Sequence, residues 1–124
     1  MEILFVRQRH EAKKAGLHYD YRIVIGDKAY SWATKKELPE PGNKIILWEQ
    51  PVHDASYALS KKIEIPDGQY GAGTTTLDFA QKGLAEKKED SYKLSLHNGQ
   101  SFTIKKMDEA KFGPKAWMFI NTTK

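Results

Sequence analysis

Cysteine is missing from this chain altogether. Disulfides and thiolate ligands are thereby excluded, and any metal must be held by His, Asp, Glu or backbone oxygen. No apolar run is long enough to span a bilayer. The opening Met-Glu-Ile-Leu-Phe-Val-Arg has no signal-peptide core behind a basic start, so a cytoplasmic protein without membrane association is expected. Repeats, low-complexity stretches and linkers are lacking too. The 124 residues therefore read as one domain, 1–124, with room for one modest core. Charge of one sign is also scarce: 20 Lys+Arg against 16 Asp+Glu leave only +4. Such a mild excess fits a polyanionic partner, and it describes a merely soluble basic protein equally well.

What the chain does have is a period of two. Residues 19–25, Tyr-Asp-Tyr-Arg-Ile-Val-Ile, run into Gly26-Asp27 and then Ala29–Ala33, a hairpin pattern. A second candidate strand covers 44–49, bounded upstream by Pro39, Pro41 and Gly42. Ile63-Glu64-Ile65 precedes Pro66-Asp67-Gly68, where Pro pre-sets φ and Gly takes a position needing positive φ. Further strands are expected at 74–80, at 92–96 and across Asn98-Gly99, with a closing strand at 117–120. Helix signals are confined to Glu11–Ala15, Ala55–Lys62 and Glu109–Lys111. The fold class that follows is mainly β, a small antiparallel barrel with one or two short helices.

Chemistry concentrates in His18-Tyr19-Asp20-Tyr21-Arg22. In a strand, His18, Asp20 and Arg22 share one face, at steps of about 6.5–7 Å, while Tyr19, Tyr21, Ile23 and Ile25 share the other. The aromatic face is the natural core side. On alternation alone, a solvated polar face explains the pattern more simply than a site does. His10 adds weight, because the short basic connection from Glu11 to Gly16 could fold it back toward His18. Two imidazoles and a carboxylate suit Mn²⁺ or Zn²⁺, and a guanidinium beside them suits phosphate. His53 and Tyr57 are four apart and would face the same way on a helical turn, although an ordinary surface turn would also account for them. His97, beside Asn98-Gly99, reads as a hairpin residue. The segment Gln69-Tyr-Gly-Ala-Gly73 lacks a dinucleotide or P-loop spacing and reads as a corner where backbones pass closely.

Together, Phe5–His10, Leu17-His-Tyr-Asp-Tyr-Arg22, Ser31-Trp32-Ala33 with Lys36, His53 with Tyr57, Ile65-Pro-Asp-Gly-Gln-Tyr-Gly-Ala-Gly73 and Trp117–Ile120 resemble, in order, the 3′-phosphoesterase domain of bacterial ligase D and its stand-alone archaeal relatives. The resemblance implies a site at the mouth of a small β-barrel. In it His10, His18 and Asp20 ligate a divalent metal, Mn²⁺ first, with Zn²⁺ or Co²⁺ as alternatives. Arg22, His53 and Tyr57 act on the 3′-terminal phosphate, and Lys36 contributes to holding it. It further implies a hydrolase that removes a 3′-phosphate, and sometimes a terminal ribonucleotide, from DNA or RNA/DNA ends. The expected partners are those ends and a DNA ligase, fused or separate, and the expected state is a monomer.

Four departures from the family pattern stand out. The His10-to-His18 spacing is longer by two residues, at Ala15-Gly16. Ile45 replaces a frequent arginine, Pro51 replaces a frequent acidic residue, and a charged arm ahead of Phe5 is missing. They motivate the alternative of a catalytically weak or inactive module that binds DNA ends for a ligase.

Overall fold

Strand pairing wraps around until the first strand meets a later one and closes the sheet. A computed structural model describes residues 1–69 and 72–124. In chain order the elements are β1 (Glu2–Ala12), β2 (Gly16–Ile25), β3 (Lys28–Thr34), β4 (Lys44–Asp54), α1 (Ala55–Leu59), β5 (Lys62–Ile65), β6 (Gly73–Lys88), β7 (Ser91–Leu96), β8 (Ser101–Lys106), α2 (Glu109–Phe112) and β9 (Ala116–Asn121). The sheet order is β1-β2-β3-β4-β9-β8-β7-β6-β5, with an additional β1–β6 pairing that closes a ring. Every pairing is antiparallel. This is the small antiparallel barrel with two short helices that the period-two pattern predicts.

The hairpins at Gly26-Asp27 and Asn98-Gly99 form as expected, joining β2 to β3 and β7 to β8. Boundaries differ in several places: β4, expected at 44–49, runs on to Asp54, and the helix expected over Ala55–Lys62 ends at Leu59, with Lys62 already in β5. The strand expected at 74–80 runs to Lys88, because β1 pairs with it from Gly73 to Leu84 while β5 pairs with Gly73–Thr76 and β7 with Gly83–Lys88. Backbone partners on both sides override the weak strand propensity of Gln81-Lys82-Gly83. Residues 11–15 are not helical: β1 continues to Ala12, and 13–15 make a hairpin turn into β2. Cross-strand pairing from His10↔His18 to Ala12↔Gly16 decides that segment.

One face of each strand in the closed ring, β5 excepted, points into its interior. Phe5, Tyr21, Trp32, Leu47, Leu94, Phe102, Ile104 and Phe119 fill it, all essentially inaccessible to water. Phe5 lies at the centre, with Tyr21, Phe102 and Phe119 rings 5.7–6.0 Å away. Offset and edge-on pairs of this kind each add about 0.5–1.5 kcal/mol beyond area burial. Side chains of the described residues thus fill the barrel interior.

A second, smaller cluster forms on the outside, where Val6, Val24 and Ala29 of β1, β2 and β3 meet Ala58 of α1. Five residues are too few for a helix to persist alone. This contact with the outer wall holds α1 in place, and so determines where Tyr57 points.

Gly73 shows why the corner after Pro66 needs a glycine. Its φ is +147°, and a Cβ there would sit 2.0 Å from the Glu11 carbonyl oxygen on β1. Close backbone passage, expected for 69–73, is therefore found at its final residue, while residues 70 and 71 lie outside those described. Gly68 takes positive φ, +84°, as the Pro-Asp-Gly turn requires.

Candidate metal and phosphate site

Register places the polar residues. Val6↔Arg22, Gln8↔Asp20 and His10↔His18 are direct partners across β1 and β2, so all six side chains share the outer face. Arg22↔Ser31 and Ala29↔His53 extend that face over β3 and β4. The site therefore lies on the outer wall and not at the barrel mouth. The reason is the aromatic filling of the interior, which leaves the polar alternate of each strand facing outward. Nor is this face solvated: His10, Asp20 and Arg22 are buried and His18 is half-buried. The two extra residues at Ala15-Gly16 lie where the turn enters β2, and His10 still stands opposite His18.

His10 Nδ1 is 3.0 Å from His18 Nε2, and Asp20 Oδ2 lies 3.8 Å and 3.7 Å from those two atoms. A point equidistant from all three is about 2 Å from each, the bond length that zinc-like divalent ions make to nitrogen and carboxylate oxygen. Two imidazoles and one carboxylate on three corners leave further coordination positions open. Among the described residues this is the group of His, Asp and Glu that can hold a metal ion. Burial, first, pulls the His18 pKa below the ordinary imidazole value, against the pull of Asp20 and a hydrogen bond to the Gly16 backbone. The shift favours the neutral imidazole, the form that binds a metal.

Arg22 is 3% exposed. Its Nε donates to Gln8 Oε1 at 2.7 Å and Nη1 donates to Ser31 Oγ at 2.7 Å. Nη2 forms an ion pair with Asp20 Oδ2 at 3.7 Å, too long for a hydrogen bond. Gln8 Nε2 in turn donates to the Tyr57 carbonyl at 2.9 Å, tying the guanidinium support to α1. The Tyr57 ring lies under Arg22, 5.0 Å from its Cζ, and stacks on His53 at 4.6 Å and 14°. His53 and Tyr57 are therefore part of the cluster and not an ordinary surface turn. Desolvation, followed by the nearby Arg22 charge, lowers the His53 pKa.

His10, His18, Asp20, Arg22, His53 and Tyr57 line a cleft of about 710 Å³ together with Ile65, Asp67, Gly68, Gln69 and Ala72. Lys13 from the β1–β2 turn forms an ion pair with Asp67 at its rim. Lys36 lies apart, in an adjoining groove with Lys35, Lys44 and Ile45. His97 sits in the β7–β8 turn, as expected. The chain reading missed Gln8 and gave Ser31 no role, yet a signal existed for Gln8: it lies two residues before His10 and so on the same strand face.

A closed β-barrel carrying a His-His-Asp cluster beside a buried arginine defines the class. The family model of the DNA ligase D 3'-phosphoesterase domain matches residues 8–110, and the chain belongs to that family. Similar proteins include the multifunctional non-homologous end joining DNA repair protein LigD of Mycobacterium tuberculosis and the LigD protein of Mycobacterium bovis. Each is 37% identical over 71 residues, which is 56% of this chain and 9% of the relative. The matched stretch is thus a small part of those relatives. No helix among the described residues is long and apolar enough to cross a membrane.

Proposed function

We propose that this protein removes 3′-phosphates from DNA ends, leaving a 3′-hydroxyl for repair and ligation. The observation that carries the reading is convergence: three metal-ligand atoms and a buried guanidinium face one cleft. His10, His18 and Asp20 would hold the metal, Mn²⁺ by family resemblance. When bound, it would supply Lewis-acid stabilisation of charge on a phosphoryl group.

The protein's own groups carry the rest. Arg22 Nη2 binds a phosphate oxygen and is preorganised, because Gln8 and Ser31 fix the guanidinium plane. His53, whose neutral form is favoured by burial and by the Arg22 charge, donates its N–H to the phosphate. An incoming dianion offsets the Arg22 charge and raises the His53 pKa, so it can pass a proton to the departing 3′-oxygen. Tyr57 sets the plane of His53 by stacking. In the reaction, water oxygen bonds to phosphorus, the bond from phosphorus to the 3′-oxygen breaks, the 3′-oxygen takes a proton from His53, and the proton lost by the water restores His53. Such a role places the chain in the cytoplasm with DNA ends as substrate, and with a ligase, fused or separate, using the product.

The test is Mn²⁺-dependent phosphate release from a duplex with a recessed 3′-phosphate, with Asp20→Ala alongside. Release by the wild type and loss of about a hundredfold or more in the variant are expected. If the wild type bound the duplex but released nothing with Mn²⁺, Zn²⁺ or Co²⁺, the chain would be an end-binding module.

A further inference from the structure

A second groove, of about 810 Å³, adjoins the metal cleft, and His18 and Gln50 line both. Alternation along β4 points Lys44, Ile46, Trp48 and Gln50 to the outer face, while Leu47 enters the core. Trp48 pairs with Ala33, and Ala33 pairs with Asp20. Two strand spacings, about 10 Å, thus separate Trp48 from the metal-ligand strand on the same face. The groove also takes Lys35 and Lys36 from the turn after β3. None of its described lining residues is acidic.

Trp48 is the anomaly. It is 47% exposed, whereas Trp32 and Trp117 are 2% and 6% exposed. An indole left open on a sheet surface, flanked by Ile46 and three lysines, offers a π-face and counter-charges together. Sequence-tolerant recognition of unpaired nucleotides uses that combination. Resting on the phosphoesterase reading for the position of the 3′ end, we infer that this groove binds the last unpaired nucleotides of the strand being processed. A base stacks on Trp48, and Lys35 and Lys44 neutralise the backbone phosphates. The substrate class that follows is a single-stranded or frayed 3′ end, since a base inside a duplex presents no free face to an indole.

The experiment titrates the full chain, without metal, with an unphosphorylated single-stranded oligothymidylate, following tryptophan emission. Neither the terminal phosphate nor turnover enters this assay, so it can succeed or fail independently of phosphate release. Wild type should be quenched on binding, because the exposed indole is the one that meets the base. Trp48→Leu should lose the quench and bind about five- to a hundredfold more weakly. Lys35→Gln with Lys44→Gln should retain the quench and reduce the slope of log affinity against log salt by about 1.4. Far-UV circular dichroism checks that each variant is folded. Binding without quench, equal affinity in Trp48→Leu, or a blunt duplex that binds as well as the single strand would each overturn the inference.

Discussion

Gln8 is wholly buried and serves two masters, accepting from Arg22 Nε at 2.7 Å and donating to the Tyr57 carbonyl at 2.9 Å. Gln8→Leu keeps approximate volume but leaves both partners without it. A hydrogen bond to a charged group contributes about 1.5–3 kcal/mol, and a neutral one about 1 kcal/mol. The added apolar burial offsets about a quarter of that sum, so a net loss of about 2–3 kcal/mol is expected. In urea unfolding followed by circular dichroism, this corresponds to a midpoint lower by roughly 1–2 M at unchanged slope. Adding Arg22→Met removes the stranded donor along with its acceptor. The double variant should therefore cost well under the sum of the two single changes. A Gln8→Leu midpoint within about 0.3 M of wild type, or strictly additive costs, would refute the view that Gln8 holds the guanidinium.

Two further perturbations follow from backbone geometry and from protonation. Gly73→Ala drives a Cβ into the Glu11 carbonyl on β1 and should destabilise by about 3 kcal/mol or more. Gly42→Ala, with φ of +85° but open space around it, should cost only about 1 kcal/mol, and equal melting temperatures for the two would count against the β1–β6 close approach. His18 and His53 both have lowered imidazole pKa values in the folded protein. Just below the ordinary value of 6.5 the unfolded chain binds more protons than the folded one. Stability is therefore full above about pH 6.5 and falls as pH drops toward the folded values. Urea midpoints at about pH 5.5 and 7.5 should differ in that direction, and His53→Gln should shrink the difference; no change in the gap would contradict the desolvated His53.

Much of the fold is legible in local pattern. Tyr19, Tyr21 and Ile23 alternate with His18, Asp20 and Arg22, and that alternation sorts the core face from the polar face without any tertiary information. The Asn98-Gly99 and Gly26-Asp27 turns mark hairpins because their backbone demands are local. Less legible is the extent of β6. Its charged second half gives no strand signal, and long-range pairing with β1 and β7 fixes it. The reading of 11–15 as helical failed for the same reason, since cross-strand bonds to β2 are absent from any local window. Within the site, strand periodicity tied His18 to Asp20 and Arg22, but Gln8 went unnoticed because a glutamine carries no chemical signature until its partner is known.

By itself, the sequence determined residue types and their alternation: a cysteine-free ligand set, an aromatic face, a polar face and turns at glycine. Those are short-range properties, set by backbone sterics and a two-residue period. Only the tertiary structure decided that the aromatic face closes on itself and fills the barrel. That closure put the polar face on the outer wall, beneath α1, instead of at a mouth. It also decided that His10 stands opposite His18, that Arg22 rests on Gln8 and Ser31, and that Lys36 falls in the neighbouring groove with Trp48. Each depends on which strands pair and in what register, and register is set by burying the whole aromatic face at once.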